Sequence, residues 1–272
     1  LLNMKTVCVI TGGGSGMGLA AAKFMPQDKV IVVSGRTMSK LNKAVEELKA
    51  LGYDAYAKTC DTSDRAQVIE LAEFALSLGE IKNVIHAAGL SPSMATPEQL
   101  VRVNALGTVY VNQEFSKRMK EGSVILDVSS NSAYILPEFL AKKKVFALAE
   151  HDESRFVGKM LGLSRLIKDK YKAAGLAYGL SKKFVIWYAR QCAYQYGERK
   201  IRVLSLSPGL IATDMGNLEA EEGGSLLKTT AEKRMGTAEE LGYALATAVD
   251  ERNGYLAGID ILCDGGSING KK

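Results

Sequence analysis

Lys5-Thr6-Val7-Cys8-Val9-Ile10-Thr11-Gly12-Gly13-Gly14-Ser15-Gly16-Met17-Gly18 joins a short β-branched run directly to a cluster of glycines. The apolar half reads as a strand buried on both faces, and such strands belong to parallel sheets. The glycine half reads as a tight turn that opens a helix over Leu19–Met25. Glycines let the backbone approach a pyrophosphate closely, and the free N–H groups of a helix N-terminus attract its charge. Gly12, Gly16 and Gly18 fall at the spacing G-x-x-x-G-x-G, which points to a bound dinucleotide rather than to a mere turn. Gly14, Ser15 and Met17 complete the candidate cofactor contacts of this loop.

The same alternation repeats outward from the loop. Val30–Val33 is a second strand, followed by a helix over Ser39–Leu51 with Leu41, Val45 and Leu48 on one face and Gly52 at its end. Ala55–Thr59 reads as a strand, Asp64–Leu78 as a helix, and Val84–His86 as a strand that runs into Ala87-Ala88-Gly89. Pro97–Met119 reads as one long helix and Ser123–Val128 as a strand. Later come a helix over Ala177–Tyr196, a strand at Ile201–Leu206, a helix over Ala238–Val249 and a last strand at Leu256–Cys263. Strands alternating with helices through right-handed crossovers predict one α/β domain. It is a doubly wound, Rossmann-like parallel sheet of about seven strands with helices on both faces. One segment breaks the rhythm. Residues 137–171 separate the strand ending at Ser129-Ser130 from the next helix, and Phe156, Met160, Leu163 and Ile167 recur there at helical spacing. A helical insertion is expected rather than a loose loop.

The 272 residues are 47% hydrophobic and 24% charged, an ordinary globular composition. No apolar run approaches the roughly 18 residues of a membrane span. No basic stretch precedes an apolar one at the N-terminus, so a cytoplasmic protein without a membrane partner is expected. The four cysteines, Cys8, Cys60, Cys192 and Cys263, are scattered and form no C-x-x-C, which favours reduced thiols over disulfides or metal. The two histidines, His86 and His151, are too few for a zinc cage, and no G-x-S-x-G elbow is present for a hydrolase. The net charge is +5, and its one compact basic run, Lys142-Lys143-Lys144, reads as a solvated helix face rather than a nucleic-acid surface.

The end of the second strand should meet the adenosine ribose. An acid there would hold the 2′-hydroxyl of NAD, whereas an arginine would accept the 2′-phosphate of NADP. Here the residues are Ser34-Gly35-Arg36-Thr37, with no acid. This favours NADP(H), with NAD(H) as second choice. Asp61-Thr62 would flank adenine, although Asp61 would serve equally as a cap for the helix starting near Asp64.

Tyr178-Gly179-Leu180-Ser181-Lys182 puts a phenol and an amine four residues apart, on one helix face. A phenol with a reference pKa of about 10 is a poor acid–base catalyst near neutrality. A neighbouring ammonium favours its ionised form and brings it toward a working range. Ser130, just beyond a strand end, would hydrogen-bond a substrate oxygen and help to hold developing negative charge. A second Y-x-x-x-K, Tyr196 with Lys200, straddles Gly197-Glu198-Arg199, a helix end, so its members need not share a face.

On these residues, together with Val103-Asn104-Ala105 and Ser207-Pro208-Gly209 with Thr213, the chain resembles the short-chain dehydrogenase/reductase family over nearly its whole length. The resemblance implies an oxidoreductase that moves a hydride between a nicotinamide and a secondary alcohol or ketone. It implies that Tyr178 is the general acid–base, Ser130 the substrate anchor, and Lys182 the group that eases tyrosine ionisation and holds the nicotinamide ribose. Asn104 would hold a water in a proton relay, and Arg36 resembles the NADP-selecting residue of that family. Ala88, Gly89, Pro208, Gly209, Ile211 and Thr213 join the candidate cofactor set, and a homo-oligomer, dimer or tetramer, is implied. Two features depart from the family pattern. His86-Ala87-Ala88-Gly89 stands where Asn-Asn-Ala-Gly is usual, so the support of the sheet there must differ, and His86 is read as a strand-end structural residue. The other departure is the insertion, which is similar in place to that of bacterial 3α-hydroxysteroid dehydrogenase/carbonyl reductase. A hydroxysteroid or bile acid is therefore the first expected substrate and a smaller ketone or oxoacyl compound the second. The apolar faces of the insertion and of Leu210–Leu227 would either cover that substrate or pack at an oligomer interface. A non-catalytic NADP-binding regulator would lack Tyr178, Lys182 or Ser130, and a sugar-nucleotide epimerase would carry a larger C-terminal region.

Overall fold

The strands of the central sheet are apolar on both faces because helices cover both. The computed structural model describes residues 5–213 and 230–270. In chain order its elements begin with β1 (Thr6–Thr11), α1 (Gly16–Phe24), β2 (Val30–Gly35), α2 (Met38–Ala50), β3 (Asp54–Thr59), α3 (Arg65–Leu78) and β4 (Glu80–His86). A composite helix follows: α4 (Pro97–Leu100), a π-helical stretch (Val101–Leu106) and α5 (Gly107–Ser116). Then come β5 (Val124–Val128), the short helices α6 (Ser132–Ile135) and α7 (Lys143–Phe146), α8 (Glu153–Met160) and the long α9 (Lys170–Gly197). The chain continues through β6 (Arg202–Pro208), β7 (Ile211–Ala212), β8 (Gly236–Thr237), α10 (Ala238–Ala248) and β9 (Asp260–Cys263).

Seven strands pair in parallel, as the alternation predicted, and their order is β3-β2-β1-β4-β5-β6-β9, while β7 and β8 form a small separate pair. Side chains alternate across the strands and divide the core into two layers. Val7, Val9, Val84, Ile125 and Val203 face α3, α5 and α9, where Leu71, Phe115, Phe184 and Tyr188 are buried. Cys8, Ile10, Ile85, Leu126 and Leu204 face α1, α2 and α10, where Leu41, Leu48 and Leu245 are buried. The strand order reverses between β1 and β4. A sheet of this kind opens a crevice at the carboxyl ends of the strands where its order reverses. The glycine turn after β1 and the Ala87-Ala88-Gly89 turn after β4 are the two lips of that crevice.

Several boundaries differ from the sequence expectation, each for a local reason. The Pro97–Met119 helix is not uniform: it passes through the π-helical stretch around Asn104 and ends at Ser116. The helix of Tyr178 starts at Lys170, seven residues before the expected Ala177, because Asp169 caps it by accepting the Lys172 N–H at 3.0 Å. The last strand starts at Asp260 rather than Leu256 because Gly258, at φ +67°, turns the chain just before it. The insertion is helical but broken. Its longest helix, α8, stops at Met160, so Leu163 leaves the apolar face and is exposed. Its buried Phe146 and Phe156 pack on Phe184 of α9, with ring centroids at 5.4 and 5.0 Å. Tyr188 of α9 donates a hydrogen bond to Glu150 at 2.8 Å, and Tyr110 of α5 donates one to Glu153 at 2.6 Å.

Candidate active site

The glycine turn is shaped by close approach of backbone to backbone. Gly12 lies at φ +68°, and a Cβ there would stand 2.8 Å from the Ala87 carbonyl carbon. A Cβ on Gly18 would stand 2.4 Å from the Gly12 carbonyl oxygen, so α1 can pack on the turn only through glycine. Ser15 begins α1 without a side-chain cap, which leaves the first N–H groups of the helix for an outside acceptor. A cleft of about 440 Å³ runs from Ser15, Gly16, Met17 and Gly18 to Cys60, Asp61 and Thr62, and is bordered by Arg36 and Lys40. Ala88 and Gly89 also line it.

Two candidate residues, Ser34 and Gly14, lie outside this lining, and of the two roles left open for Asp61 the place in the cleft remains. Ser34 is fully buried in β2 and does not line the cleft; its carbonyl instead receives the Gly13 N–H at 3.1 Å. Gly14 lies outside the lining as well, with its missing Cβ directed at Leu41. Asp61 is not the cap of α3. Asp64 fills that role, while the Asp61 carboxylate receives the Ser63 N–H and hydroxyl at 2.9 and 2.7 Å. Sequence reasoning missed Lys40, one helical turn beyond Arg36, whose signal was its place in the first turn of α2.

A second cleft, about 260 Å³, adjoins the first and shares Met17, Ala87, Gly89, Leu90 and Thr213 with it. Ser130, Tyr178, Lys182, Pro208, Gly209 and Ile211 line it. Three elements converge here: the end of β5, one face of α9, and the turn after β6. Ser129 Oγ donates to the Lys182 carbonyl at 2.7 Å and ties α9 to the end of β5. The Lys182 side chain is buried, its Nζ donates to the Val128 carbonyl at 3.0 Å, and it stands 5.8 Å from the centre of the Tyr178 ring. Ser130 Oγ accepts the Ser132 N–H at 3.2 Å, which sets its rotamer at the floor of the cleft. A buried cation, a phenol and a hydroxyl therefore face one space beside the glycine turn. A phenol so placed can exchange a proton with a substrate oxygen, and a hydroxyl can hold charge on it.

Asn104 sits behind this floor rather than in it. Its Oδ1 accepts the Leu90 N–H at 2.8 Å, and its Nδ2 donates to the Leu90 carbonyl at 3.0 Å and to Ser181 Oγ at 3.3 Å. The side chain is thus a clamp between the π-helical stretch, the turn after β4 and α9. A Cβ on Gly89 would lie 3.2 Å from Asn104 Oδ1 and 3.4 Å from Lys182 Nζ, so a larger residue there would press on the Asn104 clamp. His86 is the strand-end structural residue expected. Thr11 Oγ1 accepts the Ala88 N–H at 3.2 Å and lies 2.7 Å from His86 Nδ1. Burial, helped by the charge of Lys182, lowers the His86 pKa from 6.5 to about 3, so the ring is neutral. One strand over, burial raises the Asp127 carboxyl to about 7 even though Asn112 Nδ2 donates to both its oxygens at 3.0 and 2.9 Å.

Other expectations fall away from the cleft. Tyr196 is buried in the last turn of α9, and Lys200 lies beyond it at φ +55°, paired with Glu121, so the second tyrosine–lysine pair forms no site. Among the described residues of the 137–171 insertion, Tyr171 lines the catalytic cleft, while Phe146, Phe156, Val157 and Met160 are buried in the core beside α9. Of the Leu210–Leu227 stretch, Leu210, Ile211 and Thr213 line the cleft, while residues 214–229 lie outside the described residues. The cysteines are free thiols, and no helix among the described residues is long and apolar enough to cross a membrane.

Comparison with known proteins agrees with this geometry. Short-chain dehydrogenase/reductase bsc3 of Alternaria brassicicola is 29% identical, over 97% of this chain and 96% of its own length. The 7alpha-hydroxysteroid dehydrogenase of Escherichia coli is 24% identical, over 96% and 93%. A solved short chain dehydrogenase from Burkholderia cenocepacia, in complex with NADP, superposes with a TM-score of 0.76 at 21% identity, covering 96% of each chain. A family model described as enoyl-(acyl carrier protein) reductase matches residues 139–267. The model of the short chain dehydrogenases matches residues 6–141, and the chain belongs to that family of oxidoreductases.

Proposed function

We propose that this protein is an NADP(H)-dependent oxidoreductase that interconverts a secondary alcohol and its ketone. The observation that carries the reading is the continuity of the two clefts. One follows the glycine turn and the uncapped start of α1, the other holds Ser130, Tyr178 and Lys182, and Met17, Ala87, Gly89, Leu90 and Thr213 border both. A dinucleotide with its pyrophosphate on α1 would extend its adenosine end toward Arg36 and Lys40 and its nicotinamide end toward Tyr178. Bound there, the nicotinamide supplies or accepts the hydride. The residues of the chain manage the oxygen and its proton. Ser130 donates a hydrogen bond to the carbonyl oxygen and orients it. Tyr178 gives its proton to that oxygen as the alcohol forms, or takes it back in the reverse direction. The ammonium of Lys182, anchored on the Val128 carbonyl, stabilises the phenolate left behind. Asn104 keeps the turn after β4 in place against α9.

Arg36 and Lys40 favour NADP(H): two cations border the adenosine end and β2 ends without an acid. The likeness to a 7alpha-hydroxysteroid dehydrogenase favours a hydroxysteroid or bile acid as substrate over a smaller ketone. A regulator without turnover is disfavoured because Ser130, Tyr178 and Lys182 line one cleft. The test is Tyr178→Phe. NADPH binding, followed by cofactor fluorescence, should persist, while ketone reduction, followed at the NADPH absorbance, should fall about 10²- to 10⁴-fold. Near-normal turnover in this variant would remove Tyr178 from the chemistry.

A further inference from the structure

One face of α9 carries more of the cleft than the catalytic pair. Tyr171, Gly175, Tyr178 and Lys182 all line it, at the spacing that stacks side chains along one side of a helix. Gly175 is the anomaly. A glycine inside a helix costs about 1 kcal/mol relative to alanine and needs a reason. Backbone conformation is not the reason, since Gly175 is absent from the positive-φ glycines. Packing against the described residues is not the reason either: among them a Cβ at Gly175 would meet no heavy atom within 4 Å, whereas one on Gly179 of the same helix would meet Leu136 and Ser132. Gly158 and Gly197 are similarly open, but neither borders the cleft. What the missing side chain at Gly175 leaves free is space above Tyr178.

We propose that Gly175, with Tyr171 above it, is the size-determining notch of the substrate cleft, and that it admits alcohols or ketones whose rigid, apolar, fused-ring body runs along α9. The proposal rests on the oxidoreductase reading and narrows its substrate class. At about 1.5 Å of rise per residue, Gly175 stands roughly 4.5 Å up the helix from Tyr178 and Tyr171 roughly 10.5 Å. A single six-membered ring bearing the carbonyl ends near the level of Gly175. Two fused rings pass across that level, and a third or fourth ring reaches the level of Tyr171, which is about half exposed at 46%. Leu90, Pro92, Ile135 and Leu210 give the cleft apolar lining, and among the described lining residues Lys182 is the one that carries a charge.

The experiment compares 2-decalone with cyclohexanone in the wild type, Gly175→Leu, Gly175→Ala and Tyr171→Ala, with NADPH. Gly175→Leu should lower the ratio of kcat/KM for 2-decalone to that for cyclohexanone at least tenfold, because one misplaced side chain is worth 10- to 200-fold in an apolar pocket. Gly175→Ala should lower it less while raising Tm. Tyr171→Ala, beyond the reach of two rings, is the control and should leave the ratio within about twofold. A ratio unchanged in Gly175→Leu, in enzyme that still binds NADPH, overturns the notch. Failure of the wild type to reduce either ketone would overturn the oxidoreductase reading on these substrates. The notch is then judged on binding of 2-decalone to the protein–NADPH complex, read by nucleotide fluorescence. Tenfold weaker binding in Gly175→Leu supports it, and equal or absent binding overturns it.

Discussion

Asp127 keeps a proton that an exposed carboxyl would release. Burial raises its pKa from 3.8 to about 7, so between those values the unfolded chain binds fewer protons than the fold. Its contribution to stability is complete below about pH 4 and is lost as pH rises through 7. His86 has the opposite sign: its pKa falls from 6.5 to about 3, so its contribution is complete above 6.5 and is lost as pH falls toward 3. Asp127→Asn can keep a hydrogen bond to Asn112 and has no proton to lose. The variant should gain stability over the wild type at pH 8 relative to pH 5 by about 1–3 kcal/mol, measured by urea melts at both values. A difference that stays constant between the two pH values would contradict this sign. Tyr178, Lys182 and Ser130 were legible in the sequence because their chemistry dictates residue types at fixed spacing along one helix and one strand end. Asp127 was not, since nothing in a run of Ile-Leu-Asp-Val says what lies under a carboxylate. Ser34 differs from Arg36 because it still lies within β2, buried in the sheet, whereas Arg36 stands beyond the strand end at Gly35, on the lip of the cleft.

Helices α1 and α10 meet backbone to backbone. A Cβ on Gly242 of α10 would lie 2.5 Å from the Ala20 carbonyl carbon and 2.6 Å from Ala20 Cβ. Gly242→Val should therefore displace α1 or unfold the protein, at a cost of about 1–3 kcal/mol or more. Because α1 carries the glycine turn, NADPH affinity should fall in the same variant. Gly158→Ala in α8, where a Cβ meets nothing, serves as the control and should leave Tm the same or higher. Melting temperatures and NADPH titrations read both outcomes; a Gly242→Val protein with wild-type Tm and affinity would refute the contact. At this scale the periodic core of each element was readable and its ends were not. The π-helical stretch around Asn104 is held by bonds to Leu90, and a partner fourteen residues away leaves no trace in local periodicity. The insertion is helical in short pieces, whose Phe146 and Phe156 pack on Phe184 and Trp187 of α9.

The doubly wound parallel sheet of seven strands was legible because alternating strands and helices, joined by right-handed crossovers, leave few other arrangements. Where the two clefts merge was less so, since it needs β1, β4, β5, α9 and the turn after β6 to be placed together. A nucleotide spanning that seam would hold both halves of the sheet. At a concentration of 100 Kd, NADPH should stabilise the fold by about 2.7 kcal/mol and raise Tm by several degrees. NADH at the same concentration should do less, and Arg36→Ala should erase the difference; equal shifts in the wild type would remove the phosphate contact. The Gly242 contact also has a consequence for biosynthesis. The ribosome delivers α1 more than two hundred residues before α10, so the first helix waits beside a growing sheet without its cover. Until α10 has emerged, the nascent chain therefore offers chaperones an apolar helix face that the finished fold hides.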